Sequence, residues 1–172
     1  MSEIVTEYLS FDKLDGELKL VFDYWLSLRG DRLGPRWREF DLMKIPAKKI
    51  PFTIITDIIN KEEGLMKYRF VGTDFYRVHG IELTGKNPLD VPPEELGKKL
   101  NQELLDIVRE QKPTYSIHHL REIRRLHILQ HVLRLPLSDD GKEVTHILSV
   151  VDYIEDKKEL EDYLSAPPNA ES

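Results

Sequence analysis

From residue 18 to residue 28 the apolar side chains Leu18, Val21, Phe22, Trp25 and Leu28 recur at the three- and four-residue steps of a single helix face. Asp15 stands where such a helix starts, and Gly30 suits the left-handed position after its end. A stripe that includes Trp25 must be covered, by the same domain or by a second copy of the chain. Residues 30–51 then lose any sustained period. Their prolines and glycines describe an ordered connector. Residues 52–60, FTIITDIIN, are rich in β-branched side chains and read as a strand buried on both faces. After a turn at 61–64, LMKYRFVG answers as a hairpin partner. In it Met66, Tyr68 and Phe70 alternate with Lys67 and Arg69, which predicts one buried face.

Thr73 is placed to cap a short helix over residues 74–79, ended by Gly80. A turn at 87–91 leads to Pro92 and Pro93, which open the longest helix, with Leu96, Leu100, Leu104 and Ile107 on one face. Glu94 and Glu95 lie in its first turn and Arg109 and Lys112 in its last, as the helix dipole prefers; Pro113 stops it. Three strands follow. Residues 114–123 and 126–138 flank a tight basic bend at Arg124 and Arg125; Asp139, Asp140 and Gly141 form the next turn; residues 143–155 complete the set. A short terminal helix over 155–164 and a mobile tail from 166 are expected. The pattern predicts one domain over residues 1–155 that includes the N-terminal helix. Residues 156–172 are the short helix and tail. The fold class is α+β: a five-stranded antiparallel sheet with short helices on one face, and the N-terminal amphipathic helix covering the other.

Composition narrows the classes. The chain has 172 residues, enough for a single domain with a real core. Its 40% hydrophobic and 33% charged content is that of a globular protein. A formal charge of −6 argues against a general affinity for nucleic acid or anionic lipid. No apolar run is long enough to span a membrane, and the opening MSEIVTEYLS lacks the basic-then-apolar plan of a secretory signal. A cytoplasmic location is the expectation. The chain has no cysteine, so disulfides, thiolate metal sites and cysteine nucleophiles are excluded.

The order β-β-α-α-α-β-β-β is similar to that of PAS domains. Particular phrases resemble a bacterial single-domain PAS-like family of alphaproteobacteria: YWLSLRG at 24–30, Pro35, Ile45-Pro46, YRFVGTDFYRVHGIELTGK at 68–86, and PLSDDG at 136–141. The resemblance runs over residues 18–153. It implies a sensory or regulatory module without catalytic residues. Such a module holds a small molecule between sheet and helices or docks a protein partner, with any effector acting in trans. Photochemistry through a flavin–cysteine adduct, or a thioester-linked chromophore, requires cysteine, which is absent. Haem-binding relatives carry an axial histidine on the long helix, and residues 93–112 contain none. Haem is therefore not expected, and the identity of any ligand stays open.

The remaining chemistry rests on histidines and arginines. His127 and His131 have helical metal-ligand spacing, but residues 126–137 alternate as a strand, which sets them about 13 Å apart. No metal site is predicted. Across the hairpin, His118 or His119 falls opposite His131, a titratable pair unless one ring is exposed and the other buried and satisfied. Arg121, Arg124, Arg125 and His127 make a basic knuckle, read as a solvated turn rather than a nucleic-acid contact on a chain of charge −6; Arg29, Arg32, Arg36 and Arg38 make a basic connector, a solvated surface or an anion site. No phosphate loop or nucleophile motif is present, and no carboxylate sits in an apolar context that nominates it as a general acid.

The expected pocket has Phe75, Tyr76 and His79 as its lid. Tyr115, Ile117, His119, His131, Leu133 and Ser149 contribute from the strands, their facing undetermined because a one-residue slip reverses every side chain. Leu18, Val21, Phe22, Trp25 and Leu28 are the candidate interface of a homodimer. Two alternatives stand beside the sensor: an interaction module with a solid core, and a small enzyme using His79 or His131.

Overall fold

The computed structural model describes residues 4–123 and 126–153. In chain order the strands are β1 (Ile4–Tyr8), β2 (Thr53–Asn60), β3 (Leu65–Val71), β4 (Thr114–Ile123), β5 (Leu126–Leu137) and β6 (His146–Tyr153). The helices are α1 (Gly16–Arg29), α2 (Thr73–His79) and α3 (Glu94–Glu110). The strands form one antiparallel sheet in the order β1-β4-β5-β6-β2-β3. The architecture is α+β, and among the described residues the sheet has six strands, not the five predicted. The extra one, β1, forms one edge of the sheet and pairs with β4, Val5 opposite His119. Its five residues carry little apolar signal, and its partner lies more than a hundred residues away, so no local hairpin cue announces it. The predicted terminal helix, the tail and the bend residues Arg124 and Arg125 lie outside the described residues.

The central strands β5 and β6 alternate between two differently covered faces. On one, Leu133, Leu135 and Leu137 of β5 and Leu148 and Val150 of β6 meet Leu18, Val21 and Trp25 of α1. Trp25 is fully buried and its Nε1 donates to the Pro136 carbonyl at 2.9 Å, so the indole is satisfied as well as packed. Phe22 stacks on it at 5.9 Å and the Arg29 guanidinium lies 4.8 Å from its ring centre. The apolar stripe of α1 is thus consumed by its own domain, with Phe22 and Leu28 at the margin of the same core. Asp15 occupies the N-cap position without a side-chain capping bond, and Gly30 ends the helix at φ 57°.

The connector folds as short 3-10 turns at Trp37–Glu39, Leu42–Lys44 and Ala47–Phe52, sending Phe40 and Ile45 into the α1-side core. Its basic residues are partly committed, Arg32 to Glu39 at 2.8 Å and Arg29 to the indole. Arg36 and Arg38 border a surface groove with Trp37 and Asp139. One further expectation fails at β3. A register shift between Ile55 and Thr56 of β2 places Phe70 with the α1-side core, while Tyr68 and Met66 pack on the opposite side. The bulge inserts Arg69 between two residues that simple alternation assigns to one face.

The second face is roofed by α2, a 3-10 turn at Pro88–Asp90, and α3. Two glycines set its height. A Cβ on Gly72, at the start of α2, would meet the Pro51 carbonyl oxygen at 2.1 Å; one on Gly97 of α3 would meet the Leu89 and Val91 carbonyl oxygens at 2.7 and 2.9 Å. Thr73 begins α2 and Gly72 is its cap; the predicted Thr73 side-chain cap is replaced by backbone approach. Among the described residues no helix is long and apolar enough to cross a membrane.

The assignment of α1 to the core is testable. Trp25→Ala should cost about 3–5 kcal/mol in urea unfolding and leave the sedimentation coefficient of the folded protein unchanged. A shift in assembly state at unchanged stability would return the stripe to an intermolecular role.

Candidate ligand cavity

Between the second sheet face and its roof lies a cavity, with about 50 Å³ reachable by the centre of a water molecule. The sheet floor contributes Ile54 and Thr56 from β2, Tyr68 from β3, Gln130, Val132 and Arg134 from β5, and Ser149 and Val151 from β6. The roof contributes Phe75 and His79 of α2, Leu83, Val91, and Leu96, Leu100 and Leu104 of α3. The volume admits several waters or a ligand of a few heavy atoms. Flavin or haem would require the roof to move.

Of the predicted pocket residues, Phe75, His79 and Ser149 line this cavity. Tyr76 is 56% exposed on the outside of α2. Tyr115 and Leu133 belong to the α1-side core. Ile117 pairs with His131, and the His131 Nδ1 bonds the Tyr115 hydroxyl at 2.6 Å, which puts all three on that face too. His119 shares it, next to Glu7 at 4.0 Å at the sheet edge. The hairpin register aligns His118 with Gln130 and Ile117 with His131, so no histidine faces His131. The cavity side instead receives Ser116, His118, Gln130, Val132 and Arg134, one step out of phase with the expectation. His-His at 118–119 supplied no phase, because either ring can be the exposed one.

The sequence also gave no warning of a buried ionic group beside the cavity. Glu103 of α3 is 5% exposed and Arg134 is 4% exposed. Arg134 Nη1 donates to Glu103 Oε2 at 2.6 Å, and Thr6 Oγ1 of β1 donates to Oε1 at 2.5 Å. His118 Nε2 lies 2.8 Å from Oε2, and Gln130 Nε2 lies 3.3 Å from His118 Nδ1. The contacts select one tautomer: the imidazole donates from Nε2 and accepts at Nδ1. Burial alone would raise the Glu103 pKa, but the Arg134 charge and the bonds from His118 and Thr6 outweigh it and hold the carboxyl well below its usual range. Burial pushes His118 down, against the pull of Glu103, so the ring is neutral at pH 7. The group sums to zero charge. Glu103 does sit in an apolar context, but as an ionised carboxylate it is not a general acid. It lies among Leu96, Leu104 and Ile107 on the inner side of α3, and an inward Glu on a charged helix looks no different in sequence from an outward one.

Burial also raises the Tyr68 phenol, and that of Tyr153 on the same side of the sheet, keeping both protonated. Two buried polar atoms of cavity-lining residues, Arg134 Nε and Thr56 Oγ1, have no hydrogen-bond partner among the described residues. Native interiors seldom leave such atoms dry.

Fold and cavity together define an α+β domain with an internal, mainly apolar chamber over an antiparallel sheet. No family model matches the chain, and no curated protein sequence matches it. One similar solved structure is described as "Flavin Analogue Sheds Light on Light-Oxygen-Voltage Domain Mechanism". It matches at 14% identity with a TM-score of 0.44, over 64% of this chain and 84% of that one. At that level the likeness carries no argument about function.

The ionic group sets an acid-side dependence. Glu103 is depressed below its reference value of 4.5, so its stabilisation is complete above that pH and drains away as pH falls toward the folded-state pKa. Glu103→Gln should therefore cost about 3–5 kcal/mol at pH 7, with the gap to wild type narrowing between pH 5 and pH 3 in urea titrations. A gap independent of pH would show that the carboxylate's charge is not what matters.

Proposed function

We propose that this chain is a non-enzymatic sensory or regulatory module of PAS-like type that binds a small molecule in the cavity between sheet and roof. The observation that carries the reading is a mainly apolar chamber between sheet and roof whose lining also includes the polar residues Thr56, His79, Gln130, Arg134 and Ser149. Ligand sites commonly have this composition, with apolar walls that exclude water and a few polar atoms that orient the guest. The element order supports it as well. Two strands, α2, a 3-10 turn, α3 and three strands follow the succession on which the resemblance rests.

The absence of catalysis is part of the proposal. Glu103 is ionised with both oxygens engaged, and His118 is neutral with both nitrogens engaged. Neither is poised to exchange a proton with a guest. His79 lines the chamber while His131 faces the other side of the sheet, so the two cannot act on one substrate. A guest would touch the sheet floor and α2 together. Its differential affinity for two packings of α2 would then alter the outer surface, where Tyr76 is exposed to a protein partner.

Leu100→Trp, which fills the chamber from α3, tests this. Wild-type protein fresh from cells should show an added mass in native mass spectrometry, or be stabilised thermally by members of a small-fragment library, and the variant should show neither. If wild type and the folded variant behave alike, the cavity is not a binding site.

A further inference from the structure

The two edges of the sheet are finished differently. On the β3 edge the Tyr68 N–H donates to the Lys86 carbonyl and the Gly85 N–H to the Tyr68 carbonyl, both at 2.8 Å. The segment between α2 and the Pro88–Asp90 turn thus takes up the outward backbone groups at the middle of that strand. Lys67 and Arg69 flank the same point, charged residues of the kind that protect an edge from unwanted pairing. Along the outer side of β1, no described residue does this. Its sequence IVTEY holds no lysine, arginine or proline, and Val5 and Tyr8 are exposed.

The ladder to β4 fixes which groups of β1 face outward. The Leu9 N–H donates to the Tyr115 carbonyl at 2.8 Å, continuing the register in which Tyr8 pairs with Ser116 and Glu7 with Ile117. Directly bonded residues alternate with unbonded ones in an antiparallel pair. Val5 and Glu7 therefore turn their N–H and C=O groups toward β4, while Ile4, Thr6 and Tyr8 turn theirs away from the sheet. That row is complementary to itself. With a second chain antiparallel and Thr6 opposite Thr6, Ile4 of each copy falls opposite Tyr8 of the other, and every outward donor meets an outward acceptor. Ile4 and Tyr8 then form a β-branched–aromatic pair twice over. Glu7 falls opposite Val5, so no like charges are directly opposed.

We infer that β1 is the interface of a two-fold dimer of this chain, its strands pairing about Thr6 to join two sheets into one. The joint takes the place of the α1 stripe, which its own domain buries, and is independent of the cavity. Two five-residue strands make a contact at the small end of the scale, below the roughly 1,200 Å² of a stable complex. The association is accordingly weak and concentration-dependent.

The test uses the full chain in about 0.3 M salt, which screens the acidic Asp106 and Glu110 that act on Tyr8. Sedimentation equilibrium should show the average mass rising from monomer toward dimer between micromolar and millimolar protein. Over the same range NMR hydrogen exchange at the Thr6 and Tyr8 amides should slow several-fold. Tyr8→Pro removes one outward N–H and leaves the donors to β4 in place; it should stay folded by circular dichroism and monomeric throughout. A folded Tyr8→Pro that dimerises like wild type overturns the inference, as does a dimer whose Thr6 and Tyr8 amides exchange as fast as in dilute protein. A wild type that stays monomeric overturns it too, and leaves the edge to a strand of another protein. If Tyr8→Pro does not fold, the wild-type exchange comparison decides alone.

Discussion

A buried carboxylate and a buried guanidinium oblige each other. Either charge left unpaired in this interior would be costly, and the 2.6 Å contact between Glu103 and Arg134 fixes α3 against β5. Other features follow from that constraint. Glu103 still has lone pairs to fill, and His118 of β4 and Thr6 of β1 fill them, so the edge of the sheet is tied to the helical roof through one side chain. His118 must then stay neutral and accept at Nδ1, a role that Gln130 completes. Arg134 keeps one donor over, at Nε, and that donor belongs to a residue of the cavity wall.

The pair is costly chemistry beside a sheet that packs without it on its other side. There, α1 meets an aliphatic and aromatic surface whose main polar contact is the Trp25 bond to the Pro136 carbonyl. Period-two alternation makes this division of labour. Along β5, Leu133, Leu135 and Leu137 hold the fold together through dispersion and water exclusion, while Gln130, Val132 and Arg134 build the site. A single-residue slip in β5 would exchange these roles and drive Arg134 into the Trp25 core. Burial of both faces therefore fixes the register more firmly than any turn does.

This explains which parts of the molecule the sequence made legible. Elements with their own period, α1, α3 and the β2–β3 hairpin, were predicted close to their observed bounds, because helical stripes and β-branched runs are local signals. The strand β1 was not, since its stability comes from pairing with β4 and from Thr6 reaching Glu103. The site divided along the same line. Phe75 and His79 of the short helix between glycines reach the cavity while Tyr76 of the same helix faces outward; three aromatic side chains in seven residues do not show which side lies on the sheet. Tyr115, Ile117, His119, His131 and Leu133 were assigned to the wrong face, because β4 and β5 are buried or half-buried on both sides and apolar alternation gives no phase there. Glu103, His118 and Arg134 were invisible for a related reason. Each is an ordinary charged or titratable residue in sequence, and only the three-dimensional meeting of α3, β4 and β5 makes burial tolerable.

The same physics distinguishes the two parts of the roof. The ionic group anchors α3, and the Gly97 backbone is in contact with the preceding turn, so displacing α3 means separating buried charges and two carbonyl contacts at once. The seven-residue helix α2 is held by Phe75 and Val78 in an apolar cluster, and by the close approach of Gly72 to Pro51 at its start. Apolar contacts can be exchanged for contacts with a guest at little net cost, since both remove the same surface from water. Ionic contacts cannot be exchanged this way with an uncharged guest. Any rearrangement that follows occupation of the chamber is therefore directed into α2 and away from α3, toward the face where Tyr76 meets solvent.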